Sequence, residues 1–314
     1  MSLDISSSAQ SVEELLLEYK SKNSRGIAEK INFILEDERD VYNITAVFKD
    51  EGDLIIAGRV EKRDSELSEV IFFRNINDKW TKKENTPNLK LQDPFVTRIK
   101  GELILGGVEV YPHPTVQNAL GYRTAFYRGE NINSLEKFTV GPQMMKDIRL
   151  LELNDGRILV FTRPQGEIGG RGTIGYIVIN SLEELNEENI MKAKLLSHQF
   201  IESEWGGANE LRILNNGLIG VLGHIAKFDD AGNRHYYSMT FAFDVETGQT
   251  SPMKIIAIRN NFGEAAYKRK DLIDVIFSGG ILRQEEGKAE LYCGISDAES
   301  HKIIIDDPFL QYEN

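Results

Sequence analysis

Residues 147–164 read DIRLLELNDGRILVFTRP, two short apolar runs joined through Asn-Asp-Gly. A turn of that composition between runs of that length is a β-hairpin signal. The pattern recurs on both sides. KDEGD, KGE, NNG and QEEGK separate comparable runs, and the runs group in threes. ITAVFK, DLIIAGRVE and SEVIFFRN come first, then FVTRIK, ELILGGVEVY and YRTAFYRGE. DIRLLELN, RILVFTRP and GTIGYIVI follow, then NELRILNN, LIGVLGHIAKF and HYYSMTFAF, and last DVIFSGGILR, KAELYCGIS and HKIIID. The middle strands begin near Asp53, Glu102, Arg157, Leu218 and Lys288, a spacing of roughly 50–70 residues that suits one propeller blade with variable loops. Five modules predict an all-β chain, a five-bladed β-propeller. A pair of β-sandwiches is the competing reading of the same pattern. A parallel α/β fold is disfavoured, because no helices of crossover length separate the strands.

Outside these modules, Ser11 and Glu14 have capping-box spacing, and Val12, Leu15, Leu16 and Tyr19 recur at helical intervals. A second short helix is read over Ile27 to Leu35. Together they make residues 1–39 an N-terminal helical extension and residues 40–314 the propeller. SLEELNEENIMKAKLL (residues 181–196) reads as an amphipathic helix or an extended loop between the third and fourth modules.

Composition bounds the function. The 314 residues carry 37 Lys+Arg against 49 Asp+Glu, a formal net charge of −12, with 41% hydrophobic and 27% charged residues. Disorder is excluded. A net anion is a poor general binder of nucleic acid. No apolar run approaches the roughly 20 residues of a membrane span, and MSLDISSSAQ has neither the basic nor the apolar region of a secretory signal. One cysteine, Cys293, permits no internal disulfide and no cysteine-based zinc site. The expectation is a soluble cytoplasmic protein with no nucleic-acid or membrane partner. The five histidines show no metal-ligand spacing, so no metal is expected.

A propeller brings the inner-strand ends of successive modules together at one mouth. The polar residues at those places are Asn43 and Arg59, Asp93, Arg149 and Arg163, Asn209, Glu210 and His224, then Lys268, Arg269 and Asp297. Each has a bland reading. Asp93, in Gln92-Asp93-Pro94, suits a turn. Arg163-Pro164-Gln165-Gly166 followed by Gly169-Gly170-Arg171-Gly172 suits a solvated hairpin loop, and its glycines fit neither a Walker nor a Rossmann spacing. Its arginines equally suit phosphate or carboxylate. Trp205 beside Gly206 and Gly207 can stack on a sugar face, and His224 can bind phosphate or shuttle a proton. Lys268-Arg269-Lys270 is a solvated loop or, beside a channel, an anion attractor.

Taken in order, DVYNITAVF, GRVEKRDSELSEV, QDPFVTRIKGELILGGVEV, FTRPQGEIGGRGTIGY, EWGGANELRILNNGLIGVLGHI, DVIFSGGILR and LYCGISDAE resemble the family labelled domain of unknown function 1861. It includes the mannosyltransferase-phosphorylases of glycosyltransferase family 108. The resemblance runs from Asp40 to the C-terminus. A remoter one is to glycoside hydrolase family 130, the five-bladed β-mannoside phosphorylases. It implies that Asp93 is the catalytic acid and that Asn43, Arg59, Ser68 and Asp297 hold the sugar. It also implies that Arg163 and His224 hold phosphate. Trp205 and Asn209 join the sugar site. Where those phosphorylases carry a phosphate-binding lysine, this chain reads Glu204-Trp205-Gly206, and Lys268 or Arg269 is the replacement expected.

The implied activity is inverting phosphorolysis of β-1,2-mannooligosaccharides, or mannosyl transfer from a mannose-phosphate donor. Inorganic phosphate would be co-substrate, with no other cofactor. Phosphate is already a nucleophile, so phosphorolysis needs one acid and fixed positive charge, whereas an inverting hydrolase needs a second carboxylate. A hydrolase with Glu109, Glu210 or Glu264 as base, and a non-catalytic carbohydrate-binding propeller, are the alternatives. The N-terminal helix is available for packing on the propeller or for a homo-oligomer contact. An acidic exterior does not attract phosphate from afar, so close contacts must bind it. The Michaelis constant for phosphate is therefore expected to vary only weakly with ionic strength, and a steep dependence in a salt titration contradicts this.

Overall fold

The computed structural model describes residues 3–22, 26–113, 115–117 and 119–313. At the Asn-Asp-Gly turn, Arg149–Glu152 and Ile158–Thr162 pair antiparallel, with Gly156 at φ 82°. That left-handed position is one glycine takes without a Cβ clash. Gly175–Ile179 and Lys194–Leu195 complete a four-stranded meander, the third of five such units among the described residues.

The first unit is Phe48–Asp50, Asp53–Glu61, Glu69–Ile76 and Lys79–Lys82, with Asp40–Tyr42 also paired to its second strand. The second is Gln92–Ile99, Glu102–Pro112, Leu120–Gly129 and Glu136–Val140. The fourth is Trp205–Ile213, Ile219–Phe228, Arg234–Phe243 and Lys254–Ala257. The fifth is Asp274–Arg283, Lys288–Ile295 and Glu299–Asp306, whose outer strand is Ile27–Lys30 from the start of the chain. Two parallel residue pairs, His235 with Asp274 and Tyr236 with Val275, join the fourth and fifth units.

The cores lie between units. Ile55 and Phe72 of the first meet Leu105 of the second. Phe95 and Ile104 of the second meet Ile148 and Val160 of the third. Leu159 and Phe161 of the third meet Val221 and Phe241 of the fourth. Leu222 of the fourth meets Ile276 and Leu291 of the fifth, and Tyr292 of the fifth meets Ile56 and Phe73 of the first. Along Ile158–Thr162 alternate residues enter opposite cores, as the two-residue period of a strand requires. Both faces are buried, which is why the strand reads as an unbroken apolar run.

The helix at Val12–Ser21 forms as its capping box predicts, with Ser11 and Glu14 bonded reciprocally. Val12 and Leu15 enter the core between the third and fourth units, and the Val12 amide donates to Glu204 Oε1 at 2.8 Å. The second helix does not form. Ile27–Lys30 and Phe33–Ile34 are strands, the latter parallel to Lys79–Lys82. Residues 181–196 give only short helical turns at Leu182–Glu184 and Glu187–Ile190 before the strand Lys194–Leu195. Among the described residues no helix is long and apolar enough to cross a membrane. Leu15 is 1% exposed, so Leu15→Ala is expected to cost about 2–5 kcal/mol in denaturant unfolding, and a loss near zero would show that the helix is not part of the folded core.

Candidate functional site

Strand ends from all five units converge on a cavity of about 230 Å³. The first unit supplies Asn43 and Arg59, and the second Asp93. Lys146, Asp147 and Arg163 flank the first two strands of the third. His224 comes from the fourth unit and Asp297 from the fifth. Four of these residues have left-handed backbone: Asn43 (φ 46°), Asp93 (49°), Asp147 (59°) and Asp297 (51°). Asn and Asp enter this region more readily than other side chains, at a cost of roughly 1–2 kcal/mol each. At Asp93 the cause is visible, because the strand register slips between Gln92 and Phe95 and the chain kinks there.

Glycines make close approaches to these side chains. A Cβ on Gly294 would lie 1.9 Å from Asn43 Oδ1. One on Gly207 would lie 2.9 Å from Arg163 Cδ and 3.0 Å from His224 Cε1.

Asp93 Oδ1 accepts from Asn43 Nδ2 at 2.8 Å and Arg59 Nη1 at 3.1 Å. Burial would raise this carboxyl, but Arg59, Lys146 and Asn43 hold it below the ordinary range. Arg59 is fixed in turn by Glu61 (3.0 Å), the Ser68 hydroxyl (3.0 Å) and Glu66 (3.4 Å), and lies over the Tyr42 ring. Glu61 also accepts from Tyr42, Ser68 and Lys268. Asp297 behaves oppositely. Burial pushes it up, Arg59 opposes this, and Asp93 adds to it. Two acids of one cavity thus have environments that drive their protonation apart.

On the other side, Arg163 Nε donates to the Gly206 carbonyl at 2.7 Å, and its Nη1 lies 3.3 Å from Asp147 Oδ2. Arg163 Nη1 makes no hydrogen bond among the described residues. Lys146 is half-buried and has no carboxylate within ion-pair distance among the described residues. Burial pulls its ammonium down, but Asp147 and Asp93 outweigh this and raise it. His224 Nδ1 lies 2.8 Å from Asn209 Oδ1, and the ring is stacked on Tyr236. Among the described residues no group of three His, Cys, Asp or Glu is placed to hold a metal.

The cavity opens into an outer cleft of about 600 Å³ that shares Glu66, Gln92, Lys146, Arg163, Arg234 and Tyr236 with it. Trp205 lines this cleft, donating Nε1–H to Tyr236 at 3.1 Å and packing on Phe228, with Arg171 over both rings. Of the residues expected from sequence, Asn43, Arg59, Asp93, Arg163, His224, Arg269 and Asp297 line the inner cavity. Ser68 and Asn209 stand behind it, against Arg59 and His224.

Lys268 does not line the cavity. Its ammonium is taken up by Glu61, Glu66 (3.1 Å) and the Ser65 carbonyl (2.7 Å), so it is not the replacement lysine expected from sequence. Arg269 sits at the edge, paired with Glu66 at 3.2 Å and Asp271 at 3.1 Å. The lysine that does line the cavity is Lys146. Sequence reading passed over Lys146, Asp147 and Glu61. The available signal was position: Lys146-Asp147 opens the third module as Gln92-Asp93 opens the second, and Glu61 shares a strand face with Arg59.

Burial pulls the His224 imidazole from 6.5 to about 3, against the pull of Asp147. The unfolded chain therefore gains a proton that the folded chain refuses, and stability is lost as pH falls across that window. His224→Gln is expected to flatten the fall in unfolding stability between pH 6.5 and 3, and an unchanged slope would contradict a neutral buried ring.

The same architecture is found in solved structures. The mannose phosphorylase MPT-4 from Leishmania mexicana, in complex with phosphate ion, matches at 33% identity and TM-score 0.88, over 96% of this chain and 95% of its own. MPT-1, a GDP-Man-dependent mannosyltransferase from Leishmania mexicana, matches at 33% identity and TM-score 0.87, over 97% and 96%. The β-1,2-mannobiose phosphorylase from Listeria innocua, at 14% identity and TM-score 0.65 over 93% and 99%, shares the fold. No curated protein sequence matches the chain. The family model described as protein of unknown function (DUF1861) matches residues 18–311, the whole of the five-unit array and its cavity, and the chain belongs to that family.

Proposed function

We propose that this protein is a carbohydrate-active enzyme, an inverting β-mannoside phosphorylase and mannosyltransferase. The observation that carries the reading is the division of the inner cavity. Asp93 stands clamped by Asn43 and Arg59 on one side, while on the other Lys146 has no carboxylate within ion-pair distance and Arg163 Nη1, 3.3 Å from Asp147, makes no hydrogen bond among the described residues. A phosphoryl group on the Lys146, Arg163 and His224 side leaves the sugar ring between it and Asp93, with Asn43, Arg59 and Asp297 around the hydroxyls. Trp205 and the outer cleft receive the rest of the oligosaccharide.

Transfer from a mannose-phosphate donor suits the resting charge. Ionised Asp93 takes the proton of the acceptor hydroxyl, directly or through a sugar hydroxyl, as the phosphate leaves C1. In phosphorolysis the protonated acid returns that proton to the leaving oxygen. Fixed cations stabilise the phosphate charge in both directions. Inorganic phosphate is the co-substrate. The acids proposed for hydrolysis do not support that alternative. Glu109 is paired with Arg123 and Lys137, Glu210 with Arg212, and neither these nor Glu264 lines the cavity.

We also propose that the five units close as a five-bladed propeller. The support is the succession of cores, the last joining Tyr292 of the fifth unit to the first. A cytoplasmic setting fits the one buried cysteine, Cys293.

Incubation with β-1,2-mannobiose and phosphate is expected to release mannose 1-phosphate. Asp93→Asn should slow this roughly 10²–10⁴-fold, and Lys146→Met should raise the Michaelis constant for phosphate more than it lowers kcat. Full activity in Asp93→Asn overturns the catalytic assignment, and free mannose released without phosphate makes the protein a hydrolase.

A further inference from the structure

Asp147 is an odd neighbour for an anion. It is 2% exposed, lines the inner cavity, and has left-handed backbone at φ 59°. Neither of its carboxylate oxygens has a hydrogen-bond partner among the described residues. The guanidinium of Arg163 lies 3.3 Å from Oδ2 and that of Arg149 lies 3.9 Å from Oδ1, close enough for charge balance but without hydrogen-bond geometry. A Cβ on Gly207 would come within 3.3 Å of Oδ2, so the carboxylate has little room to turn away. A carboxylate kept only as a structural counter-ion would be expected to bond its cations, because an unsatisfied buried acceptor is costly. Here the acceptor edge of Asp147 and the donor Nη1 of Arg163 are both open, side by side.

A pocket of donors alone binds any oxyanion. A carboxylate set among the donors repels every oxyanion except one that puts a proton between the two charges. We propose that Asp147 accepts the P–OH of bound hydrogen phosphate, so that the site selects phosphate against oxyanions that carry no proton, sulfate above all. This rests on the phosphorylase reading of the cavity. It also fixes the roles of the phosphate oxygens. With P–OH turned to Asp147, the other three oxygens are unprotonated. One of them forms the bond to C1 as the glycosidic C1–O bond breaks, and the leaving oxygen takes the proton of Asp93. The P–OH proton stays on the phosphoryl group through that step.

Calorimetric titration of the full-length protein at neutral pH and constant ionic strength, with phosphate, arsenate and sulfate in turn, tests this. Hydrogen arsenate carries the same proton and is expected to bind like phosphate. Sulfate is expected to bind weaker by roughly a hundredfold or more, and Asp147→Asn to bring the ratio within about threefold, chiefly by admitting sulfate. Wild-type protein that binds sulfate as tightly as phosphate overturns the proposal, with no variant needed. A variant that weakens both anions in parallel, with the ratio preserved, also overturns it and leaves Asp147 a positioning residue for Arg163. If the wild type binds none of the three anions and releases no mannose 1-phosphate, the phosphorylase reading itself falls. Turnover with phosphate but without discrimination defeats the Asp147 inference alone.

Discussion

The ion pair between Arg59 and Glu61 is the constraint around which the mouth of the molecule is built. Their side chains are 5% and 0% exposed, so neither charge can be left to water. A buried pair is tolerable only when its remaining donors and acceptors are also satisfied. Glu61 meets that demand with Tyr42 and Ser68 of its own unit and with Lys268, which arrives ahead of the fifth unit. Arg59 meets it with Asp93 of the second unit. One charge pair thereby ties three of the five units together where the cavity opens, and holds the guanidinium that keeps Asp93 ionised.

The cavity is electrostatically two-sided. Near Asp93 the Arg59 guanidinium is spoken for and Oδ1 of Asp93 carries two hydrogen bonds, with Asn43 Oδ1 the atom left without a partner among the described residues. Near Asp147, Lys146 and Arg163 keep open donor positions, and His224 is held neutral by burial. A complete network rigidifies, whereas an incomplete one inside a cavity marks where a ligand supplies the missing partners.

Much of this was legible beforehand, for local reasons. The turns at residues 49–53, 100–102, 154–156, 215–217 and 284–288 announce themselves by composition, and the strands between them are apolar on both faces. Seven of the expected site residues line the cavity, most of them at or near strand ends of the repeated modules. What failed was non-local. Ile27, Ile31, Phe33 and Leu35 suit a helix as well as a strand, and only distant partners decide between them, Glu299–Asp306 for Ile27–Lys30 and Lys79–Lys82 for Phe33–Ile34. Lys268-Arg269-Lys270 reads as a basic patch until Glu61 and Glu66 fold onto it. Lys146 and Asp147 carry no local motif to single them out, and only the fold brings the carboxylate to Arg163 and the ammonium to the cavity.

The outer strand of the fifth unit has a consequence in time. Ile27–Lys30 leaves a ribosome some 270 residues ahead of its partner, Glu299–Asp306. Four meanders can condense in order as they emerge, whereas the early strand must wait with its hydrogen-bonding edge uncovered until the last of the strands it pairs with is made. Contacts of such sequence separation slow folding, and an uncovered edge invites pairing with other chains. The exposed pattern of that strand, with Glu29 and Lys30 facing water, suits a segment that must stay soluble until its place is made.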